Sequence, residues 1–239
     1  MHTQVPSPAD NERSVLARPK PSFRVEPISV HFRLMRPVTH FVLYNLGLVA
    51  AETQTTAAER NCIAYHAFNK IKAAEVGVWH GVTTCCIAQR LAPTGILYAI
   101  DNYPTGRLGL SFPYCVARRH TRRWQDRIQF VRRTSKDAAA YFRQGGMPKF
   151  DFVFLDGDHS YDGLREDWQG WAPLIAPDGI VALHDSRSSG SVNLEGSGSV
   201  IFTRAVILCD RQFELIEQVD TLSIMRRKRE TSERATNSR

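Results

Sequence analysis

Short apolar segments alternate with helical ones between Ala73 and Leu183, and this alternation restricts the fold of the chain more than any other feature. The predicted strands are Ala73–Val76, Ile96–Ile100, Ile128–Val131, Phe150–Leu155 and Gly179–Leu183. A predicted helix lies between each strand and the next. Strands connected in this way favour right-handed crossovers and a parallel sheet.

The pattern changes towards the C-terminal end of the chain. Phe213–Val219 and Thr221–Met225 predict two further strands, and the short connection at Val219-Asp220 predicts that they form an antiparallel hairpin. The sequence therefore predicts a Rossmann-like, doubly wound α/β fold. Its sheet is expected to have seven mostly parallel strands and to end in an antiparallel hairpin.

Composition divides the chain into four predicted segments. Residues 1–27 contain five prolines and predict a flexible arm. Residues 28–68 predict a helical cover, in which Thr55 or Thr56 followed by Glu59 resembles a capping box. Residues 69–226 form the predicted α/β domain, and residues 227–239 a basic, disordered tail.

The chain has a formal net charge of +7, and much of the excess lies in arginines between Arg118 and Arg133 and in the run Arg226–Arg229. A basic surface can attract nucleic acid or acidic small molecules, or it can simply be solvated. No RNA-binding motif with interleaved aromatic residues accompanies these arginines. We therefore expect a small-molecule substrate rather than nucleic acid.

Two features bear on localisation. The longest strongly apolar stretch, Phe41 to Ala51, is too short to span a bilayer, and charged residues occupy the N-terminal region where a signal peptide would be apolar. The five cysteines lack metal-ligand spacing and are expected to be reduced thiols. We expect a cytoplasmic protein without a membrane partner. The apolar and aromatic segment Phe41–Leu48 is compatible with a homodimer.

Glycines or polar residues follow four of the predicted strands. Gly77 and Gly81 come after the first strand and Asp101 after the second, while the segment Asp156–His159 follows the fourth and the pair His184-Asp185 the fifth. Ligands of open parallel sheets bind outside the carboxyl ends of the strands, at the point where the strand order reverses. These residues therefore predict a ligand site.

The spacing of the glycines argues against a dinucleotide. A dinucleotide fingerprint that starts at Gly77 would need glycine where Trp79 and Val82 stand. A nucleoside without a pyrophosphate needs less: a glycine for close approach of the backbone, and a carboxylate such as Asp101 to accept the two ribose hydroxyls. The first predicted crossover helix could also offer N–H groups to a ligand carboxylate.

Three motifs together resemble class I S-adenosylmethionine-dependent methyltransferases. They are the run from Ala74 to Thr84 (AEVGVWHGVTT), the run from Phe154 to Tyr161 (FLDGDHSY), and His184-Asp185. Within that class, the chain is most similar to a small-molecule O-methyltransferase-like group with a DGDHSY signature. The resemblance covers about Thr55 to Arg226.

The resemblance implies a set of residues that bind S-adenosylmethionine: Glu75, Gly77, Trp79, Gly81, Thr83, Asp101, Ser135 and Asp156. Glu75 and Gly77 would contact the methionine end of the cofactor, and Asp101 would hold the ribose. Ser135 would lie near the adenine, and Asp156 beside the reacting sulfonium.

Three residues are predicted to be catalytic: His159, Asp156 and His184. His159 is the natural general base, because an unperturbed imidazole titrates near neutrality. A structural role, in which His159 orders Asp158, stays open. His184 is the second candidate for the base.

A metal site is an alternative at the same strand ends. Asp156 and Asp185 could bind Mg²⁺, since a hard cation prefers oxygen ligands. However, His184 stands where metal-dependent relatives often have a second acid.

The expected function is transfer of a methyl group to an oxygen of a small molecule, such as a natural-product or sugar-type hydroxyl. Three alternatives remain. A nucleic-acid methyltransferase is disfavoured because no Asn/Asp-Pro-Pro-aromatic motif follows the fourth strand, and a nicotinamide-dependent reductase because the third glycine is missing. The third alternative is a non-catalytic cofactor-binding or scaffold protein with the same fold.

Overall fold

The computed structural model describes residues 36–106, 109–147 and 149–229. The predicted arm, the first part of the predicted cover and most of the predicted tail lie outside these residues. The strands are β1 Lys72–Val76, β2 Ile96–Ile100, β3 Ile128–Val131, β4 Phe150–Leu155, β5 Ile175–Leu183, β6 Phe213–Val219 and β7 Leu222–Arg227. The helices are α1 Pro37–Asn45, α2 Ala57–His66, α3 Val82–Ala88, α4 Phe112–His120, α5 Ser135–Gln144, α6 Tyr161–Trp171 and α7 Gly198–Ala205. Short 3₁₀ helices cover Arg122–Arg127, Ala172–Leu174 and Ile207–Cys209.

All seven strands form one sheet in the order β3-β2-β1-β4-β5-β7-β6. The first five strands of this order pair in parallel, and β7 is antiparallel to both β5 and β6. The predicted mostly parallel seven-stranded sheet with a C-terminal hairpin is therefore confirmed. The order reverses between β1 and β4, so the carboxyl ends of these two strands border the crevice in which such sheets bind ligands.

A separate hydrophobic cluster covers each face of the sheet. Phe142, Trp171 and Met225 belong to the cluster on one face, and Ile63 and Ile224 to the cluster on the other. Because both faces of the parallel strands are buried, these strands read as nearly continuous apolar runs instead of alternating ones. The core thus holds the strand ends rigidly in place.

The first residue of the predicted basic tail belongs to a strand. Strand β7 runs to Arg227, which the prediction placed in the tail. The guanidinium of Arg227 donates to the backbone carbonyls of Ala172 and Ile175, and Arg226 forms an ion pair with Glu214 on β6. These two arginines therefore bind β7 to neighbouring parts of the sheet and are not part of a free basic segment.

The predicted helical cover contains α1 and α2 within the described residues. The capping box forms at Thr56: its hydroxyl accepts the Glu59 N–H at 3.1 Å, and Glu59 accepts the Thr56 N–H at 2.7 Å. Helix α1 packs on α4 through the rings of Phe41 and Phe112, whose centroids are 5.3 Å apart. None of the described helices is long and apolar enough to cross a membrane.

Candidate functional site

Gly77 marks the closest approach between the end of β1 and the end of β4. Its φ angle is +88°, and a Cβ atom built on it would lie 1.9 Å from the backbone oxygen of Asp156. The neighbouring backbone is tightly paired, because the Asp156 N–H donates to Val76 and the Gly77 N–H donates to Ile100. Only glycine is compatible with this crossing of the two chain segments.

Asp101 holds the loop after β1 in shape. One of its carboxylate oxygens accepts the N–H groups of Val78 and Trp79 at 3.1 and 3.2 Å, and the other accepts the N–H of Tyr103 at 2.9 Å. These bonds hold the backbone of Trp79 at a φ angle of +52°, a value that residues other than glycine seldom adopt. The carboxylate is therefore preorganised at the end of β2, beside the loop.

Glu75 is an acidic residue that lies fully buried at the end of β1. Its side chain is fully buried, and neither carboxyl oxygen has a hydrogen bond of good geometry within the described part of the chain. Burial raises the pKa of Glu75 well above its usual value; the Thr84 hydroxyl nearby lowers it in part, and the carboxylates of Asp156 and Asp101 raise it further. A buried polar group of this kind is costly unless a partner meets it.

A cavity of about 690 Å³ opens at this end of the sheet, within the usual size range of small-molecule sites. Seven of the predicted site residues line it: Gly77, Trp79, Thr83, Asp101, Ser135, Asp156 and His159. Four others do not: Glu75, Gly81, His184 and Asp185. Sequence reasoning missed several lining residues, of which Glu52, Thr53 and Gln54 come from the segment that precedes α2.

His159 faces the cavity between two carboxylates. Its Nε2 lies 3.5 Å from Asp156 and its Nδ1 lies 3.9 Å from Asp185. Helix α7 holds its backbone, since the His159 carbonyl accepts the N–H of Ser199 at 2.9 Å. The adjacent Asp158 carboxylate accepts the Ser160 N–H at the start of α6. The imidazole is about one-third exposed, and these backbone hydrogen bonds hold the residue that carries it in place.

His184 is buried behind this surface. Its Nδ1 lies 2.8 Å from the Asp156 carboxylate, and its Nε2 lies 3.5 Å from Glu59. Burial alone would lower the pKa of His184, but the two carboxylates outweigh it and raise the pKa. The two carboxylates on either side of the ring therefore favour the cationic form of His184.

The geometry agrees with the results of comparison with known proteins. Residues 74–186 match the model of a family described as a methyltransferase domain. Residues 74–186 are thus similar to a methyltransferase domain. This match confirms the predicted enzyme class at the level of the domain.

Solved structures share the fold. An O-methyltransferase from Bacillus cereus in complex with SAH aligns with a TM-score of 0.57 and 16% identity, over 82% of this chain and 94% of that one. The O-methyltransferase TomG from Streptomyces achromogenes, involved in tomaymycin synthesis and in complex with SAM, aligns with a TM-score of 0.56 and 16% identity, over 81% and 90%. At this identity the likeness extends to the fold alone.

One curated relative also matches. The uncharacterized protein y4gI of Sinorhizobium fredii is 23% identical in an alignment of 129 residues that covers 51% of this chain. The aligned part spans only 14% of the length of that relative.

Glu59 connects helix α2 to the turn between β6 and β7, and sequence reasoning identified it only as part of a capping box. One of its oxygens accepts the backbone N–H and the hydroxyl of Thr221, in the turn between β6 and β7, at 2.9 and 2.7 Å. The other faces Thr56 and His184. Burial alone would raise the pKa of Glu59, but the His184 cation and the hydrogen bonds lower it. No local pattern could have shown these distant contacts.

Ser135 lies on the cavity wall, but its hydroxyl is already engaged. It accepts the indole N–H of Trp171 at 2.9 Å. Burial raises the pKa of the neighbouring Asp167 carboxyl to about 6, against a smaller lowering by the Ser135 hydroxyl. Asp167 lines the cavity too, and the signal for it was an acid within the apolar stripe Leu164, Trp168, Trp171 of α6.

Replacing Glu59 by glutamine should destabilise the fold by about 3 kcal/mol, because it leaves the buried His184 cation with one anion fewer. The Glu59 carboxylate contributes stability that is complete above its unfolded pKa of 4.5 and is lost as the pH falls through its lowered folded value. The loss caused by Glu59→Gln should therefore shrink in acid. Urea unfolding between pH 3 and pH 7 measures it.

A matched control is Glu214→Gln, which breaks the exposed ion pair with Arg226. Exposed pairs contribute less than about 1 kcal/mol. Equal losses for the two variants would show that burial of the Glu59–His184 pair has no energetic consequence.

Proposed function

We propose that the chain is an S-adenosylmethionine-dependent methyltransferase that methylates a hydroxyl oxygen of a small molecule. The observation that carries this proposal is the cavity at the β1/β4 reversal point. It has the glycine loop and Asp101 at one side and His159 beside Asp156 at the other. A binding surface for a nucleoside and a candidate proton acceptor thus share one space.

The residues present fit the cofactor. The Gly77 backbone permits a close approach that any Cβ would block. Asp101 is fixed where it can accept ribose hydroxyls, and the fully buried Glu75 carboxyl has only the Thr84 hydroxyl as a polar side-chain neighbour that favours its charge. We infer that the cofactor's α-amino group, directly or through water, stabilises Glu75, and that Ser135, Trp79 and the α3 start complete the site.

The cofactor supplies an already activated methyl group when it is bound, so the protein has to orient the acceptor and remove its proton. We infer that Nε2 of His159 takes the proton of the acceptor hydroxyl. Asp156 and Asp185 flank the ring at 3.5 and 3.9 Å and would stabilise the imidazolium that forms. General bases of this kind contribute about 10²–10⁴-fold in rate.

His184 is assigned a positioning role in this proposal. Its raised pKa leaves it protonated near neutrality, so it has no free lone pair with which to accept a proton from substrate. Its charge fixes Asp156, which in turn lies against His159. We therefore assign the proton transfer to His159 and the orientation of Asp156 to His184.

A small acceptor is supported by the dimensions of the cavity. Glu52, Thr53 and Gln54 form part of its wall, so the segment before α2 narrows the space beside the cofactor loop. A cavity of about 690 Å³ has to hold both the nucleoside cofactor and the acceptor. The known activities of TomG and of the Bacillus cereus enzyme as O-methyltransferases favour oxygen as the acceptor atom.

Calorimetric titration tests the cofactor. The protein should bind S-adenosylmethionine and its demethylated product, and should not bind NADH. Incubation with panels of phenols, catechols and sugars should then release the demethylated product for at least one hydroxylated class. Binding without turnover on any panel, including RNA and DNA, would favour the scaffold alternative, and turnover on nucleic acid would contradict the small-molecule acceptor.

The predicted Mg²⁺ site fits less well. The oxygens of Asp156 and Asp185 share their space with His159 and the His184 cation, and a hard dication prefers oxygen ligands without a neighbouring positive charge. We expect methyl transfer by metal-freed protein to be unchanged when Mg²⁺ is added. A rate that rises with Mg²⁺ and falls in Asp185→Asn would restore the metal hypothesis.

A further inference from the structure

We propose that Cys62, His66 and Glu217 form a binding site for Zn²⁺ that fastens α2 to the edge strand β6. Potential ligand atoms of the three side chains all lie within 4.8 Å of one another. The site is built on different residues from the cavity described above. The proposal does not depend on the methyltransferase reaction.

Helix α2 supplies two of the three ligands on one face. Cys62 and His66 are four residues apart, which places them one turn apart on the same side of a helix. Cys62 is 7% exposed and belongs to the cluster that covers this face of the sheet. The His66 ring is also largely buried, at 11% exposure. Both side chains are therefore held close to the surface of the sheet.

A β-bulge supplies the third ligand. Leu215 pairs with Met225 in the β6–β7 ladder, but Glu217 pairs with Ile224 instead of residue 223, so β6 has one extra residue at this point. Met225 belongs to the hydrophobic cluster on the far face of the sheet and Ile224 to the one on the α2 face. Regular alternation would direct Glu217 to the same face as Leu215, away from α2.

The bulge therefore turns the Glu217 carboxylate towards α2. Its Oε2 lies 2.8 Å from Nε2 of His66. Bulges commonly occur where a strand has to redirect a side chain. An edge strand normally needs only a charged side chain that points to solvent. In β6, by contrast, the bulge places Glu217 on the face that carries a histidine and a cysteine of α2.

The donor set selects the class of metal. One sulfur, one imidazole nitrogen and one carboxylate oxygen suit Zn²⁺ and related transition metals, whereas Mg²⁺ and Ca²⁺ prefer oxygen donors alone. Zn²⁺ bonds these atoms at about 2.0–2.3 Å, so modest side-chain rotation would bring the three ligands around one ion. The Cys62 thiol would release its proton to solvent on binding, since the thiolate is the ligand. A water molecule would take the fourth position, on the side where Glu217 is exposed.

The test is a metal titration of the full chain after treatment with a chelator and dialysis. Zn²⁺, added in competition with a chromophoric chelator, should occupy a site that requires Cys62, and it should raise the melting temperature. Co²⁺ at the same site should produce a thiolate-to-cobalt charge-transfer band in the near ultraviolet. That band reports on sulfur as a ligand and does not depend on enzymatic activity.

Two variants separate this site from any other. Cys62→Ser should abolish the band, and both Cys62→Ser and Glu217→Gln should weaken Zn²⁺ binding by more than the ~100-fold that loss of an outer-shell partner can cost. Glu217 is partly exposed, so its variant should fold normally. Cys209→Ser, at an exposed cysteine outside the cluster, is the matched control and should change nothing.

Unchanged Zn²⁺ affinity in both ligand variants would overturn the proposal. It would place any bound metal elsewhere, for example at Asp156, His159 and His184. Absence of the sulfur band from Co²⁺-loaded wild-type protein would also overturn it.

Discussion

Gly77→Ala should abolish binding of S-adenosylmethionine and destabilise the fold by more than about 3 kcal/mol. The methyl group would meet the backbone oxygen of Asp156 at 1.9 Å, and backbone cannot move aside as a flexible side chain can. The left-handed conformation alone costs a residue with a Cβ about 1–2 kcal/mol, and overpacking typically adds about 1–3 kcal/mol. Relief of the clash would also separate the ends of β1 and β4, which border the cavity.

Gly47→Ala is the matched control for this prediction. Gly47 has a φ angle of +72°, but a Cβ there would meet no atom within 4 Å. Its variant should therefore lose only the conformational part of the free energy and retain full cofactor affinity. Urea unfolding and calorimetric titration measure the two effects separately. If Gly77→Ala bound the cofactor as tightly as Gly47→Ala, the close approach would have no role in the site.

His159→Ala should lower kcat by about 10²–10⁴-fold with the acceptor identified in the panel. The affinity for S-adenosylmethionine should stay within about 1 kcal/mol of the wild-type value, because His159 is assigned to the acceptor side and not to the cofactor. Steady-state kinetics and calorimetry on the same preparation measure both quantities.

Added imidazole gives this second variant its control. If the ring acts by accepting a proton, free imidazole should restore part of the rate in His159→Ala and leave the wild-type rate unchanged. A variant that keeps nearly full activity, or that loses cofactor binding in parallel, would exclude His159 as the base. Retained activity would leave the Asp156 carboxylate as the candidate proton acceptor.

Strands β2, β3 and β4 have the bounds that the sequence predicts, because each is a largely apolar run with polar or turn-forming residues on both sides. Strand β5 begins four residues earlier than predicted, at Ile175 instead of Gly179. The run Pro177-Asp178-Gly179 reads as a turn, but the structure accommodates it within the strand beside a register shift in its pairing with β4. Local patterns do not show such irregularities.

The candidate site was predictable to a similar degree. Residues at strand ends, such as Asp101 and Asp156, were accessible from the sequence because a parallel sheet brings its carboxyl ends together. The protonated state of His184 was not, since it depends on Glu59, which lies 125 residues away in the chain. Likewise, the site at Cys62 depends on a single bulged residue in β6. Contacts between distant segments have no local signature.

The contact between Glu59 and Thr221 has a consequence for synthesis of the chain. Thr221 lies in the last turn of the sheet, and its N–H and hydroxyl both reach Glu59. A nascent chain has already made α2, β1 to β5 and His184 before this turn leaves the ribosome. Until then the Glu59 carboxylate lacks two of its donors, so the hydrogen bonds that hold Glu59 beside His184 can be completed only after Thr221 has been synthesised.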